Sequence, residues 1–189
     1  MLTKEDGDFL LKVARKAIEN YLKNNTVIKT PEDIPSILRE KMGVFVTIHE
    51  RKDLRGCIGY PEPVKPLINA VIDSAISAAT GDPRFPPMQL DELGMVDLEL
   101  SVLTPPQKVQ VKAPQEYLEK IVVGTDGLIM EKGFNKGLLL PQVPVEWGWD
   151  VKEFLTNTCL KAGLQPDCWY DDKVEVYKFQ AEIFQEKSD

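Results

Sequence analysis

In the stretch LRGCIGYPEP, residues 54–63, a cysteine stands between two glycines, two positions after an arginine. A cysteine attacks as its thiolate, and a nearby guanidinium or imidazolium lowers the thiol pKa. Arg55 can supply that charge. His49, the single histidine of the chain, is the candidate proton acceptor, and Gly56 and Gly59 would leave the thiol and the adjoining backbone open to a substrate. Cys57 and His49 are therefore candidate catalytic residues, with Arg55, Gly56 and Gly59 as candidate binding residues. A plainer reading stands beside this one. Free cysteine is among the most buried residue types and packs as a small hydrophobe, and glycines within a strand also mark bulges or close backbone approach.

Two further segments carry polar groups where regular structure is excluded. GDPRFPPM, residues 81–88, is too rich in proline for a helix or a central strand. Its Asp82 is a second candidate proton partner and its Arg84 a candidate for holding an anion, although such a pair also commonly bonds its own loop. In LLLPQVPVEWGWD, residues 138–150, Gln142, Glu146, Trp147 and Trp149 form a polar and aromatic cluster of the kind that lines binding clefts. Cys159 belongs to an apolar helical stripe, and Cys168 lies beside Trp169 in a polar loop. The three thiols and His49 lack the paired short spacings of a zinc site, so no metal is expected. No phosphate-binding glycine loop, nucleophile elbow or dinucleotide fingerprint is present, and no cofactor is expected.

The elements that must position these residues follow from periodicity. Residues 3–23 form a helix capped by Thr3, with Asp6 completing the box and Leu10, Val13, Ala14, Ala17, Ile18, Tyr21 and Leu22 on one stripe. A loop with one helical turn after Pro35 leads to a strand pair turned by ERKD. Parity sets its register. A loop of odd length, Arg51 to Asp53, collects Val44, Val46, Ile48, Leu54, Ile58 and Tyr60 on one face, and burial favours that choice. Phe45, Thr47, His49, Arg55 and Cys57 then share the other face, with His49 across from Arg55 and diagonal to Cys57. A second helix starts near Pro66 and ends at the GDPRFPP loop. Residues 95–104 alternate as a strand, PQEYLEK adds a short helix, and residues 121–142 read as three short strands in a meander turned by Asp-Gly and Asn-Lys-Gly. Asp150 and Glu153 open a last helix that Gly163 ends, and VEVYKFQAEIF is a final strand. Strands joined by tight turns are antiparallel, so the class is α+β.

At 189 residues the chain is long enough for one sizeable core or one domain of two lobes. A net charge of −7 argues against electrostatic nucleic-acid binding. Three cysteines are too few and too odd for a disulfide framework, which points to a reducing compartment. The start of the chain is acidic where a signal peptide would be basic and apolar, and no apolar run reaches membrane-spanning length. A cytoplasmic protein without a membrane partner is expected.

Taken together, LRGCIG, AISAATGDPRFPPM, LELSVLTPP, GTDGLIM, GLLLPQVPVEWGWD and FLTNTCLKAGL resemble the AMMECR family, named for a human chromosomal region linked to Alport syndrome and midface hypoplasia. The resemblance runs over roughly residues 5–180, and Leu54–Gly59 matches the family's hallmark. It implies a single domain, 1–189, of two lobes: an antiparallel sheet flanked by helices and a smaller β-containing lobe, with the hallmark lining a cleft between them. It implies no established activity. Association with Memo-like and radical-SAM proteins suggests a shared modification pathway. Two readings remain. One is an enzyme using Cys57 with His49 or Asp82 as proton partner, and Arg55 and Arg84 holding an anionic small substrate. The other is a non-catalytic module docking a protein partner through the same surface, a nucleic-acid partner being disfavoured by charge.

Overall fold

The computed structural model describes residues 2–186, which fold as two compact units. One comprises the chain through Leu103 together with the stretch beginning at Glu182; the other is Thr104–Ala181.

In the first unit, helix α1 (Lys4–Asn24) starts where the sequence places it. The Thr3 hydroxyl accepts from the Asp6 N–H, and the Asp6 carboxylate accepts from the Thr3 N–H. Leu10, Val13, Ala14, Ala17 and Ile18 are buried, and the helix stops at Asn25 in the left-handed region, φ 53°. Strands β1 (Gly43–Glu50) and β2 (Asp53–Tyr60), helix α2 (Leu67–Thr80) and strand β3 (Val96–Leu103) follow. The aliphatic face predicted by parity is the buried one: Val44, Val46, Ile48, Leu98, Leu100 and Val102 join α1 and α2 in one core.

The turn differs from the expected odd loop. It has two residues, Arg51 and Lys52, at φ 50° and 76°, as a tight hairpin of the primed type requires. A two-residue turn alone would put Val44, Val46 and Ile48 opposite the wrong residues of β2. A bulge between Ile48 and His49 restores the favoured parity for the rest of the pair, with Ile48 opposite Gly56, Val46 opposite Ile58 and Val44 opposite Tyr60, but Leu54 pairs with His49 and is exposed instead of joining the aliphatic face. Arg55 is the extra residue, so His49 does not sit across from it. Core burial thus fixes the register, and the bulge absorbs the conflict with the turn.

In the second unit, β4 (Gln107–Lys108), α3 (Tyr117–Lys120), β5 (Gly127–Lys132), β6 (Asn135–Leu139), α4 (Gln142–Trp147), α5 (Val151–Lys161) and β7 (Glu175–Phe179) follow in order, before β8 (Ala181–Gln185). The two four-stranded sheets run β2-β1-β3-β8 and β4-β7-β5-β6, and the pairings of β1 with β2 and β3, and of β7 with β4 and β5, are antiparallel. This is the α+β class expected. Three local expectations change. The meander is a hairpin of two strands turned at Gly133-Phe134, since the Asp126 side chain ties Val122 N–H into a turn instead of a strand. The final strand is two strands in different sheets. The Gln142–Trp147 segment is a short helix rather than irregular chain.

The expectation of no disulfide is also overturned. Cys159 on α5 and Cys168 are bridged, with Cα atoms 5.8 Å apart. Cys159 is fully buried, as its stripe requires, but Cys168 is only 7% exposed rather than a solvent-facing loop residue. Cysteine count alone hid the pair. The turn at Gly163, φ 72°, folds the chain back on α5 and brings the two sulfurs together.

Candidate functional site

Strand β2 is an edge of its sheet, so the backbone groups of Cys57 that face away from β1 need partners. The GDPRFPP loop supplies them. The Asp82 carboxylate accepts the Cys57 N–H at 2.9 Å, and Arg84 Nη2 donates to the Cys57 carbonyl at 3.4 Å. Asp82 also accepts from the Arg84 N–H at 3.0 Å and from its guanidinium at 3.0 and 2.7 Å. Two segments 25 residues apart in sequence thus meet at Cys57.

The electrostatics run against a resting thiolate. Burial pushes the Cys57 thiol above its ordinary value; the Thr47 hydroxyl, which donates to Sγ at 3.3 Å, and Arg84 pull the other way, while Asp82 and Glu99 add to the rise. The Arg84 guanidinium holds the Asp82 carboxyl far below the usual carboxylate range, with the N–H groups of Cys57 and Arg84 helping and burial opposing. A carboxylate so stabilised is a poor proton acceptor at neutral pH.

Arg55 does not reach toward the thiol. Its guanidinium is tied to Glu92 Oε1 at 2.9 and 3.0 Å and to the Pro86 carbonyl at 3.1 Å, with the residue 8% exposed. Phe85 lies near both cations, 6.0 Å from the Arg55 Cζ and 5.6 Å from the Arg84 Cζ, ring centroid to carbon.

The glycines have a packing cause. A Cβ on Gly56 would stand 2.2 Å from the Ala78 carbonyl of α2, and one on Gly59 would stand 2.2 Å from the Val44 carbonyl and 2.6 Å from the Phe45 ring. Helix α2 and β1 occupy the space that side chains would need. These clearances serve neighbouring protein atoms.

His49 lies two residues beyond Thr47, the residue paired with Cys57, and so shares its face of the sheet. It opens onto a cavity of about 330 Å³ lined also by Lys52, Asp97, Glu99, Gln185 and Glu186. The thiol's hydrogen bond comes from Thr47, not from His49. Gln142, half-buried, and Glu146, exposed, stand one turn apart on α4 in the second unit, where Trp147 and Trp149 stack with centroids 6.1 Å apart. Sequence reasoning did not single out Thr47, Phe85 or Glu92. Thr47 had a signal, since the favoured register sets it opposite Cys57; nothing in the sequence marked Glu92 as the partner of Arg55. Among the described residues no group of three His, Cys, Asp or Glu side chains is placed to hold a metal ion, and no helix is long and apolar enough to cross a membrane.

A model of the AMMECR1 family matches residues 11–184. A protein of Methanothermobacter thermautotrophicus is 57% identical over 185 residues, covering 98% of this chain and 96% of its own. Protein MJ0810 of Methanocaldococcus jannaschii is 54% identical over 188 residues, with 98% and 92% covered. The crystal structure of uncharacterized protein PH0010 from Pyrococcus horikoshii superposes with a TM-score of 0.87 at 55% identity, over 98% of this chain and 94% of that one.

Proposed function

The chain belongs to the AMMECR1 family, and from that premise we propose that it works as a binding module, docking an acidic group of a partner protein at Arg84 beside Cys57. The observation that supports this reading best is the use already made of the charged groups around Cys57. Asp82 is committed to Cys57 N–H and to Arg84, Arg55 is committed to Glu92, and the thiol is pushed toward its neutral form. His49 makes no hydrogen bond to the thiol, and the exposed cation beside Cys57 is Arg84. Its side chain is 55% exposed, yet its orientation is set by two bonds to a carboxylate that is 2% exposed. A cation held this way loses little rotamer freedom on meeting an anion, which suits recognition of a carboxylate.

The partners to test first are the Memo-like and radical-SAM proteins with which the family resemblance associates the chain. Isothermal titration of each against the wild type, Arg84→Ala and Cys57→Ser decides between the two readings. Docking at Arg84 predicts that Arg84→Ala weakens binding at least about tenfold, the order of a lost charge-assisted bond, while Cys57→Ser leaves it nearly unchanged. Activity or binding abolished by Cys57→Ser and kept by Arg84→Ala would return the cysteine to the centre.

A further inference from the structure

The loop that carries Arg84 leaves the end of α2 and lies along the open edge of β2, where side chains take the place of a strand ladder. Near its start, Asp82 takes the Cys57 N–H at 2.9 Å. Past its middle, the Pro86 carbonyl takes Arg55 Nη2 at 3.1 Å. Proline has no N–H, so that carbonyl is the one backbone group by which Pro86 can be held. Further on Met88, 1% exposed, donates its N–H to the Ala79 carbonyl of α2 at 2.8 Å. Arg55 and Cys57 of one strand thus hold the loop on either side of Arg84 and Phe85.

The bonds between Asp82 and Arg84 do less than their number suggests. They join residues two apart in sequence, so they orient the side chain within the loop and not the loop on the sheet. The tie from Arg84 itself to β2 is the bond to the Cys57 carbonyl, which at 3.4 Å is longer than an ordinary N–H···O bond. Arg55 supplies the firmer constraint. Its Nε and Nη2 both meet Glu92 Oε1, at 3.0 and 2.9 Å, while Nη2 also reaches Pro86. Glu92 is anchored in turn, its other oxygen taking the Gln89 N–H at 2.6 Å. Phe85 stands beside both cations, its ring centroid 6.0 Å from the Arg55 Cζ and 5.6 Å from the Arg84 Cζ.

We propose that Arg55 is the positioning residue of the docking site: through Pro86 and Phe85 it fixes where Arg84 stands on β2, without meeting the partner itself. The inference rests on Arg84 being the group at which the partner's acid docks. A planar fork suits the task, because it holds a carboxylate and a carbonyl at once in fixed directions. The ammonium of a lysine would keep the charge and give up the fork. At 8% exposure Arg55 is also withdrawn from a docked acid, whereas the Arg84 side chain is 55% exposed.

Arg55→Lys is the variant that tests this, with Glu92→Gln as a milder second one that keeps the fork and weakens what holds it. The Arg84 Nε–H resonance, assigned by its loss in Arg84→Ala, is followed by nitrogen spin relaxation. The expected order parameter is near the rigid value of about 0.85 in the wild type, below about 0.6 in Arg55→Lys and between the two in Glu92→Gln. Hydrogen exchange of the Ile18 and Ala75 amides, buried in α1 and α2, should stay unchanged in both variants. Against whichever of the Memo-like and radical-SAM proteins binds the wild type, Arg55→Lys should weaken affinity about threefold to tenfold, the cost of ordering one side chain. It should add nothing to the loss in Arg84→Ala, since it acts through that residue. Arg84 order unchanged in both variants would overturn the assignment. So would core amides that exchange faster in step with the loop, or an affinity loss that adds in full to that of Arg84→Ala. The relaxation measurement needs no partner and so judges Arg55 separately from the docking reading, which falls if Arg84→Ala leaves affinity unchanged.

Discussion

Asp82 accepts four hydrogen bonds on its two carboxylate oxygens, one from Cys57 N–H and three from Arg84. Replacing it with asparagine keeps the shape and removes the charge. At neutral pH, Asp82→Asn is expected to lose about 2–4 kcal/mol of unfolding free energy, because charge-assisted bonds weaken and amide donors face Arg84. The loss should depend on pH in a definite direction. The folded-state pKa of Asp82 lies below its unfolded value, so its contribution is complete above the unfolded carboxyl pKa of about 3.9 and fades as pH falls below it. Urea unfolding of both proteins from pH 7 to pH 2 should show the two stabilities converging in acid. A difference that stays constant with pH would mean that the Asp82 charge is not what ties the loop to β2. This residue-scale geometry was partly legible in the sequence. The GDPRFPP loop is proline-rich and polar, the LRGCIG strand is glycine-rich and polar, and the two meet at Cys57. The use of the two arginines was not legible, because Arg55 is turned to Glu92 by a bulge that exists only once core burial and the two-residue turn compete for the register.

At the scale of elements, β2 is held between β1 on one side and α2 with its trailing loop on the other. Gly56 is where helix and strand come closest, with the Ala78 carbonyl in the place of a Cβ. Gly56→Ala should therefore destabilise the protein by about 2–3 kcal/mol, since a helix backbone cannot yield as a flexible side chain would. Gly94→Ala is the control, having no atom within 4 Å of its added methyl, and should change stability by less than about 0.5 kcal/mol. Thermal unfolding reads both. Equal melting temperatures for Gly56→Ala and the wild type would restore the view that the glycine leaves room for a ligand. Hydrophobic period and capping boxes placed α1, α2, β1, β3 and α5 correctly, because those signals are local. The passage from β7 to β8 was read as one strand, because nothing local distinguishes a strand that continues from one that changes sheet at Gln180.

At the scale of the whole molecule, the sulfur chemistry is divided between the two units. Cys159 and Cys168 are closed on each other in the second unit, and Cys57 in the first is the free thiol. The sequence offered three cysteines and an argument from their scarcity; the pairing needed the chain reversal at Gly163 to be seen. The division makes Cys57 accessible to a single clean measurement, since without a reductant it is the thiol that iodoacetamide can reach. On the proposal made above, Cys57 is a neutral, half-buried part of a docking surface and not a nucleophile. Timed alkylation of the unreduced protein from pH 6 to pH 10, read by peptide mass spectrometry, tests it. Labelling is expected to be slower than that of a free cysteine throughout the neutral range, with the rate rising only above the free thiol value of about 8.5, and slower still in Arg84→Ala, which loses a charge that favours the thiolate. Rapid labelling at pH 6 to 7, with a midpoint below that of free cysteine, would contradict it.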